Sequence, residues 1–315
     1  MKKKITIVGA GAVGSTIAYT LVVKGVADEV VMIDINHEKV LGEALDIRQG
    51  LPFSTTKTIY AGDYPDAVDS NIVIITSGVA RKPGQTRLEL AQTNVNILRS
   101  ITPNITKYAP DAVYIIVSNP VDILTYVFTK ISGIPEKRII GSGTVLDTLR
   151  LRARLAEYYK TDSKDIIAYV LGEHGDSSFV PWSMTSLSGL GYKQYEQYKE
   201  QMGTLLPPID EEDIEKYMRT SGGKVIARKG ATFYAVSLSV CHICECIFSN
   251  LDSVLTVSTL MHGEHGIEDV CLSYFTVVNC DGTGSNLMAK LTPEEEDKLR
   301  HSAECLKKII ANIEF

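Results

Sequence analysis

Long apolar runs are missing from this 315-residue sequence, and a membrane-crossing helix needs about 20 consecutive apolar residues. The nearest imitation is the start, where Lys2, Lys3 and Lys4 precede an apolar stretch as in a secretion signal. Gly9, Gly11 and Gly14 interrupt that stretch, so we read it as a first strand and expect a cytoplasmic protein without membrane partners. An excess of basic charge is also missing. The 32 Lys and Arg against 38 Asp and Glu give a net charge of -6, with no footprint for a phosphate backbone, so nucleic acid is not an expected partner. The six cysteines form no disulfide framework and are expected to be buried thiols. Metal spacing is lacking as well. His262-Gly263-Glu264-His265 has no i,i+4 histidines, and Cys241, Cys244 and Cys246 fall in a helix that turns them to the core, so no metal is expected. The acidic run at 210–215 reads as a solvated helix start. No linker, repeat or low-complexity tract divides the chain.

The remainder is rich in pattern. Hydrophobic residues make up 44% of the chain, enough for one large α/β core or two smaller ones, and we expect two lobes. Strand-like runs at 4–8, 29–33, 57–60, 72–76, 113–117 and 138–140 alternate with helical or loop material, including helices at 15–23 and 38–49. Such alternation predicts a parallel, doubly wound sheet over residues 1–141. Beyond it come helices at 148–159, 211–227, 235–248 and 293–312, a strand-like run at 166–171 and a hairpin at 254–278. These define an α+β part over 142–315, and the cleft between the parts is the expected site.

Gly9, Gly11 and Gly14 form a G-x-G-x-x-G turn between the first strand and helix. Gly9 permits the tight turn, Gly11 lets backbone approach a pyrophosphate, and Gly14 lets helix and strand pack closely. Asp34 closes the second strand, 20 positions after Gly14. A carboxylate there accepts both hydroxyls of an adenosine ribose and repels a 2′-phosphate, which predicts NAD rather than NADP.

Among the histidines, His37, His242 and His301 look like surface or packing residues. His174 stands between Gly172 and Gly175, open to a ligand, and an imidazole can both take and return a hydroxyl proton near neutral pH. Asp147 is the candidate carboxylate to orient it. Arg150 lies three residues later, where a guanidinium could grip a substrate carboxylate; an ordinary i,i+3 salt bridge is the competing reading of the pair. The stretch from Gly78 to Arg87, with Arg81, Lys82, Pro83 and Gly84, has the composition of a lid that carries Arg87 to a developing oxyanion.

Taken together and in order, GAGAVG, MIDIN, RKPGQTR, VSNPVD, SGTVLDTLR, GEHGD and VSTLMHGEHGI resemble the L-lactate/malate dehydrogenase family over essentially the whole chain, nearest its bacterial lactate branch. The resemblance implies a Rossmann domain followed by a catalytic domain, NAD as cofactor, and a small 2-keto or 2-hydroxy acid as substrate. It makes His174 the acid/base, Asp147 its partner, Arg150 the carboxylate clamp and Arg87 the polarising arginine. Asn119 would lie near the nicotinamide ribose and the substrate; Val13, Lys39, Gly78, Val117 and Ser142 would line the cofactor; Thr232 would border the substrate side chain. A homotetramer is also implied. GEHGD, SGTVLD and Thr232 resemble the lactate branch, whereas Arg81 resembles enzymes that take a dicarboxylate. A cation closed into a dry pocket against a methyl group has no partner, while a second carboxylate would satisfy it. Whole-chain resemblance favours pyruvate and L-lactate, with oxaloacetate and malate as the alternative and a non-catalytic NAD-binding regulator as a remote one. Enzymes of this branch activated by fructose 1,6-bisphosphate carry an arginine at the position of Arg152 and a histidine at the position of Ile167. An aliphatic side chain cannot hold phosphate, so activation by that effector is not expected.

Overall fold

The computed structural model describes residues 2–80, 84, 86–204 and 209–315. Arg81, Lys82, Pro83 and Gln85, four positions of the expected lid, lie outside the described residues.

Short β-branched runs form the sheet because they are buried on both faces, as in Ile72–Ile75, where all four residues are buried. In chain order the elements are β1 (Lys4–Val8), α1 (Ala12–Lys24), β2 (Glu29–Ile33), α2 (His37–Gln49), β3 (Thr58–Ala61), β4 (Ile72–Ile75), α3 (Arg87–Tyr108), β5 (Val113–Ile116), α4 (Val121–Ile131) and β6 (Ile139–Gly141). They continue with α5 (Val145–Tyr159), β7 (Ile166–Ile167), β8 (Ser186–Leu187), β9 (Leu190–Gly191), α6 (Tyr192–Gln201), α7 (Glu211–Lys229) and α8 (Tyr234–Phe248). The chain closes with β10 (Ser253–His262), β11 (Glu268–Asn279), β12 (Gly282–Asn286) and α9 (Pro293–Ile310).

Strands β1 to β6 are parallel, in the order 6-5-4-1-2-3. The order reverses between β4 and β1, and in such sheets the crevice beyond the carboxyl ends of those strands binds ligands. The expected hairpin is present as β10 and β11, and it extends the same sheet: Ser258 of β10 pairs with Gly141 of β6, followed by β11 and β12. The fold is α/β, a doubly wound parallel Rossmann sheet followed by an α+β part. One apolar layer, with Ile5, Ile17, Leu21, Ile74 and Ile243, fills one side of the sheet. A second, with Val95, Tyr114, Phe128, Leu272 and Leu299, fills the other. A third cluster, including Leu151, Leu155, Tyr159, Trp182 and Met218, holds α5 against α7.

Several expectations need correction. The run at 166–171 is a strand only at Ile166–Ile167; Leu171 and Gly172 make isolated bridges to Phe179 and Ser273 instead. Helix α5 starts at Val145, ahead of the expected 148, which puts Asp147 in its first turn. Neither α6 nor β12 was anticipated, because YKQYEQYKEQ has no apolar stripe and GTGSN has little strand propensity. Of the cysteines, Cys241, Cys244, Cys246 and Cys271 are buried thiols, but Cys280 is exposed and Cys305 partly so. The acidic run is not wholly solvated: Asp210 caps α7, while buried Glu215 accepts hydrogen bonds from Trp182 Nε1 (3.0 Å) and Arg219 (2.9 Å). Among the described residues no helix is long and apolar enough to cross a membrane.

Candidate active site

The glycine turn is built by close approach. Gly9 has φ +110°, which favours glycine, and a Cβ on Gly14 would lie 1.8 Å from the Gly9 carbonyl oxygen. Gly11 is the N-cap of α1 and has no side chain with which to cap it, and no acidic residue occupies the first turn. The free N–H groups and positive end of that helix are therefore left for an anion. Parallel pairing of Val8 with Ile33 brings the end of β2 alongside. There Asp34 accepts from the backbone of Ala10 (2.6 Å) and Asn36 (2.8 Å), so its carboxylate is fixed in place beside the turn. An uncapped helix start next to an oriented carboxylate fits a dinucleotide.

Across the sheet edge lies a cavity of about 240 Å³ lined by Val13, Val117, Asn119, Ser142, Asp147, Arg150, His174 and Thr232, among others. The sequence scatters these over more than 200 positions, and the ends of parallel strands, helix α5 and two later loops gather them. Lys39 and Gly78 are not among its lining residues. Lys39 sits in the first turn of α2, where its N–H donates to the Asn36 side chain. Arg87 begins α3 and does not line the cavity; its guanidinium pairs with Asp176, which does, and approaches Glu173 at 3.8 Å.

His174 is held from every side. Gly172 exchanges backbone hydrogen bonds with Ser273 of β11 (3.0 and 3.1 Å). The Glu173 N–H donates to Ser302 Oγ of α9 (2.6 Å), and the His174 N–H donates to Asp122 Oδ2 of α4 (2.8 Å). The ring Nδ1 lies 2.5 Å from Asp147 Oδ2, while Asp147 Oδ1 accepts from Arg150 Nη1 at 3.0 Å. One carboxylate thus bridges imidazole and guanidinium, and the salt bridge and the imidazole contact expected as competing readings coexist. The His174 side chain keeps 23% of its surface accessible and lines the cavity. Burial alone would lower the His174 pKa, but the Asp147 charge and hydrogen bond outweigh it and raise the pKa above 6.5. Burial likewise opposes ionisation of Asp147, yet His174 and Arg150 hold its carboxyl below the usual range.

Sequence reasoning missed Asp122, Asn94 and the Gly222-Gly223 pair. Asp122 is buried and also accepts from Ser258 Oγ (2.6 Å), and burial pushes its pKa up to about 6. Its one signal was a carboxylate at the start of the otherwise apolar helix VDILTYVF. Buried Asn94 accepts from the Val79 N–H (2.8 Å) and donates to Asn119 O (2.6 Å), tying together the loops that follow β4 and β5. Both glycines line the cavity from the interior of α7. The decoy histidines have other partners: His262 meets Glu136 (2.5 Å), and His265 meets Tyr274 (2.7 Å) and Glu296 (3.3 Å). Among the described residues no three His, Cys, Asp or Glu side chains gather into a metal shell.

A Rossmann sheet, an anion-ready helix start and an imidazole paired to a carboxylate beside it define an NAD-dependent oxidoreductase. The chain belongs to the lactate/malate dehydrogenase family: residues 3–141 match its NAD binding domain and 144–314 its alpha/beta C-terminal domain. It is 44% identical to the L-lactate dehydrogenase of Acetivibrio thermocellus, over 99% of this chain and 98% of that one. Identity to L-lactate dehydrogenase 1 of Clostridium acetobutylicum is 43%, over 99% and 100%. The crystal structure of the minor L-lactate dehydrogenase from Enterococcus mundtii in its ligands-bound form superimposes with a TM-score of 0.92 at 36% identity, over 100% of this chain and 99% of that one.

Proposed function

We propose that this chain reduces pyruvate to L-lactate with NADH, and runs the reverse reaction, with residues 1–141 holding the cofactor and 142–315 supplying the catalytic groups. The observation that carries the reading is the Arg150–Asp147–His174 chain of contacts inside the cavity. The bound nicotinamide supplies or accepts the hydride. The protein's own work is then to bind, orient and move one proton. Arg150 holds the substrate carboxylate with two parallel hydrogen bonds. His174, protonated and braced at Nδ1, gives a proton from Nε2 to the carbonyl oxygen, and it takes one from the hydroxyl in the reverse direction. Arg87 leaves Asp176 to polarise that oxygen, in a site from which water is excluded. Gly9, Gly11, Gly14 and Asp34 seat the adenosine and pyrophosphate, while Val13, Lys39, Gly78, Val117, Asn119 and Ser142 line the rest of the cofactor. Asn119 and Thr232 border the substrate.

Relatives named for L-lactate weigh against the dicarboxylate reading of Arg81. The reading also includes a cytoplasmic homotetramer that fructose 1,6-bisphosphate does not activate. Ile167 is half-exposed, and Arg152 is engaged with the Ala168 carbonyl (3.0 Å) and the Tyr169 ring (5.2 Å). The test is NADH consumption with pyruvate and with oxaloacetate, in the parent and in Arg81→Gln. Turnover of pyruvate supports the proposal. NADH binding without turnover of either acid sinks it, and a strong preference for oxaloacetate that Arg81→Gln abolishes would replace it with the malate reading.

A further inference from the structure

We infer that the cavity accepts 2-keto acids with aliphatic side chains larger than methyl, that Gly223 leaves the room for them, and that Gly222 seats the Arg150 guanidinium. The inference rests on the reading above, in which Arg150 takes the carboxylate and His174 the carbonyl oxygen.

Helix α7 is otherwise well specified. Asp210 caps it, three acidic residues fill its first turn and two basic residues its last. Yet its interior contains two consecutive glycines, each of which weakens a helix relative to alanine. Neither has a positive φ, so the backbone does not require them. Space is the remaining reason, and the two positions differ. A Cβ on Gly222 would lie 3.3 Å from Arg150 Nη2 and 3.6 Å from Nη1, so the guanidinium rests almost on the helix backbone. On Gly223 a Cβ would meet no described atom within 4 Å. Packing therefore does not call for glycine at 223; a methyl there would only take open volume beside the cavity that Gly223 lines.

Arg219, Gly222, Gly223 and Ile226 fall on one face of α7 by their three- and four-residue spacing, and all four line the cavity. With carboxylate and carbonyl fixed, the substrate side chain takes the remaining space, bordered by Gly223, Ile226, Thr232 and Val236. Two of these are aliphatic. The charge of Arg219 is already matched, since its Nη1 donates to Glu215 (2.9 Å) as well as to the Ser178 carbonyl (2.9 Å), so the site does not require a second carboxylate there. The occupant is thus a linear or branched hydrocarbon chain.

The experiment compares kcat/KM of the full chain with NADH and pyruvate, 2-oxobutyrate or 4-methyl-2-oxopentanoate, in the parent, Gly222→Ala and Gly223→Ala. Alanine favours the helix, so Gly223→Ala should keep or raise the melting temperature, while in Gly222→Ala that gain is set against the displacement of Arg150. We expect the parent to use the larger acids within about tenfold of pyruvate. Gly223→Ala should lower the ratio of branched acid to pyruvate about tenfold or more, the scale of a methylene in an apolar pocket. Gly222→Ala should raise KM for all three acids by a common factor and leave the ratio in place, since it displaces the clamp. Pyruvate turnover accompanied by rejection of the branched acid by about a thousandfold, or an unmoved ratio in Gly223→Ala, overturns the inference while leaving the parent reading intact. NADH binding without turnover of any of the three overturns the parent reading, and this one with it.

Discussion

Replacing Asp147 by Asn tests the site at its centre, because the change keeps the shape and removes the charge shared by His174 and Arg150. An amide cannot serve both neighbours. If its oxygen stays on Arg150, the NH2 group faces His174 Nδ1 and forces that nitrogen to accept, which leaves the neutral tautomer, a far weaker acid. If the amide flips, the NH2 group confronts the guanidinium. Asp147 is only 5% exposed, so water cannot repair either arrangement. Proton transfer by a positioned side chain contributes about 10²- to 10⁴-fold, so holding His174 in the wrong tautomer should lower kcat/KM for pyruvate by that factor, about 3–5 kcal/mol at 1.36 kcal/mol per decade. The pH profile gives a second readout. In the parent, reduction requires protonated His174 and declines as pH rises through a pKa held above 6.5. Without the Asp147 charge, burial is left to dominate and the decline moves to lower pH. The same raised pKa stabilises the fold below pH 6.5, and the contribution is lost as pH rises through the folded-state value, so the variant also loses that part of the pH dependence of melting. Initial rates of NADH oxidation across the neutral range and an NADH binding titration suffice. Retention of kcat/KM within about threefold, with an unmoved profile, would refute the reasoning.

Arg150→Lys should raise KM for pyruvate about 10- to 100-fold, because a point charge replaces a two-pronged grip, while NADH affinity stays put; an unchanged KM would remove Arg150 as the clamp. Asp122→Ala strands the His174 N–H and the Ser258 hydroxyl, at about 1–3 kcal/mol each, so calorimetry should show a lower melting temperature and kinetics a lower kcat. Asp122→Asn keeps an acceptor and should be milder. Because burial raises the Asp122 pKa to about 6, its contribution to stability is present below pH 3.8 and lost as pH rises through about 6, and the Asn variant should flatten that part of the curve. Asp34→Ser should shift the kcat/KM preference from NADH toward NADPH by about 10- to 100-fold, the scale of lost charged hydrogen bonds; a preference that stays where it was would mean the carboxylate does not meet the ribose.

Local chemistry carried much of this protein in its sequence. The glycine turn with Asp34, the buried β-branched strands and the imidazole between Gly172 and Gly175 were legible because each depends on neighbours a few residues away. Tertiary structure alone decided the rest. Whether Asp147 would brace His174 or merely pair with Arg150 could not be read locally, since the choice depends on a loop 27 residues downstream being pinned by Ser273, Ser302 and Asp122. The joining of β10 to β6 was equally hidden, because backbone pairing leaves little trace in side chains when the partners lie more than 100 residues apart. Gly222 and Gly223 carried no signal within their helix, because the guanidinium above one and the open space beside the other depend on the tertiary structure. Side-chain character is local, but what faces it is settled only when distant strands are brought side by side.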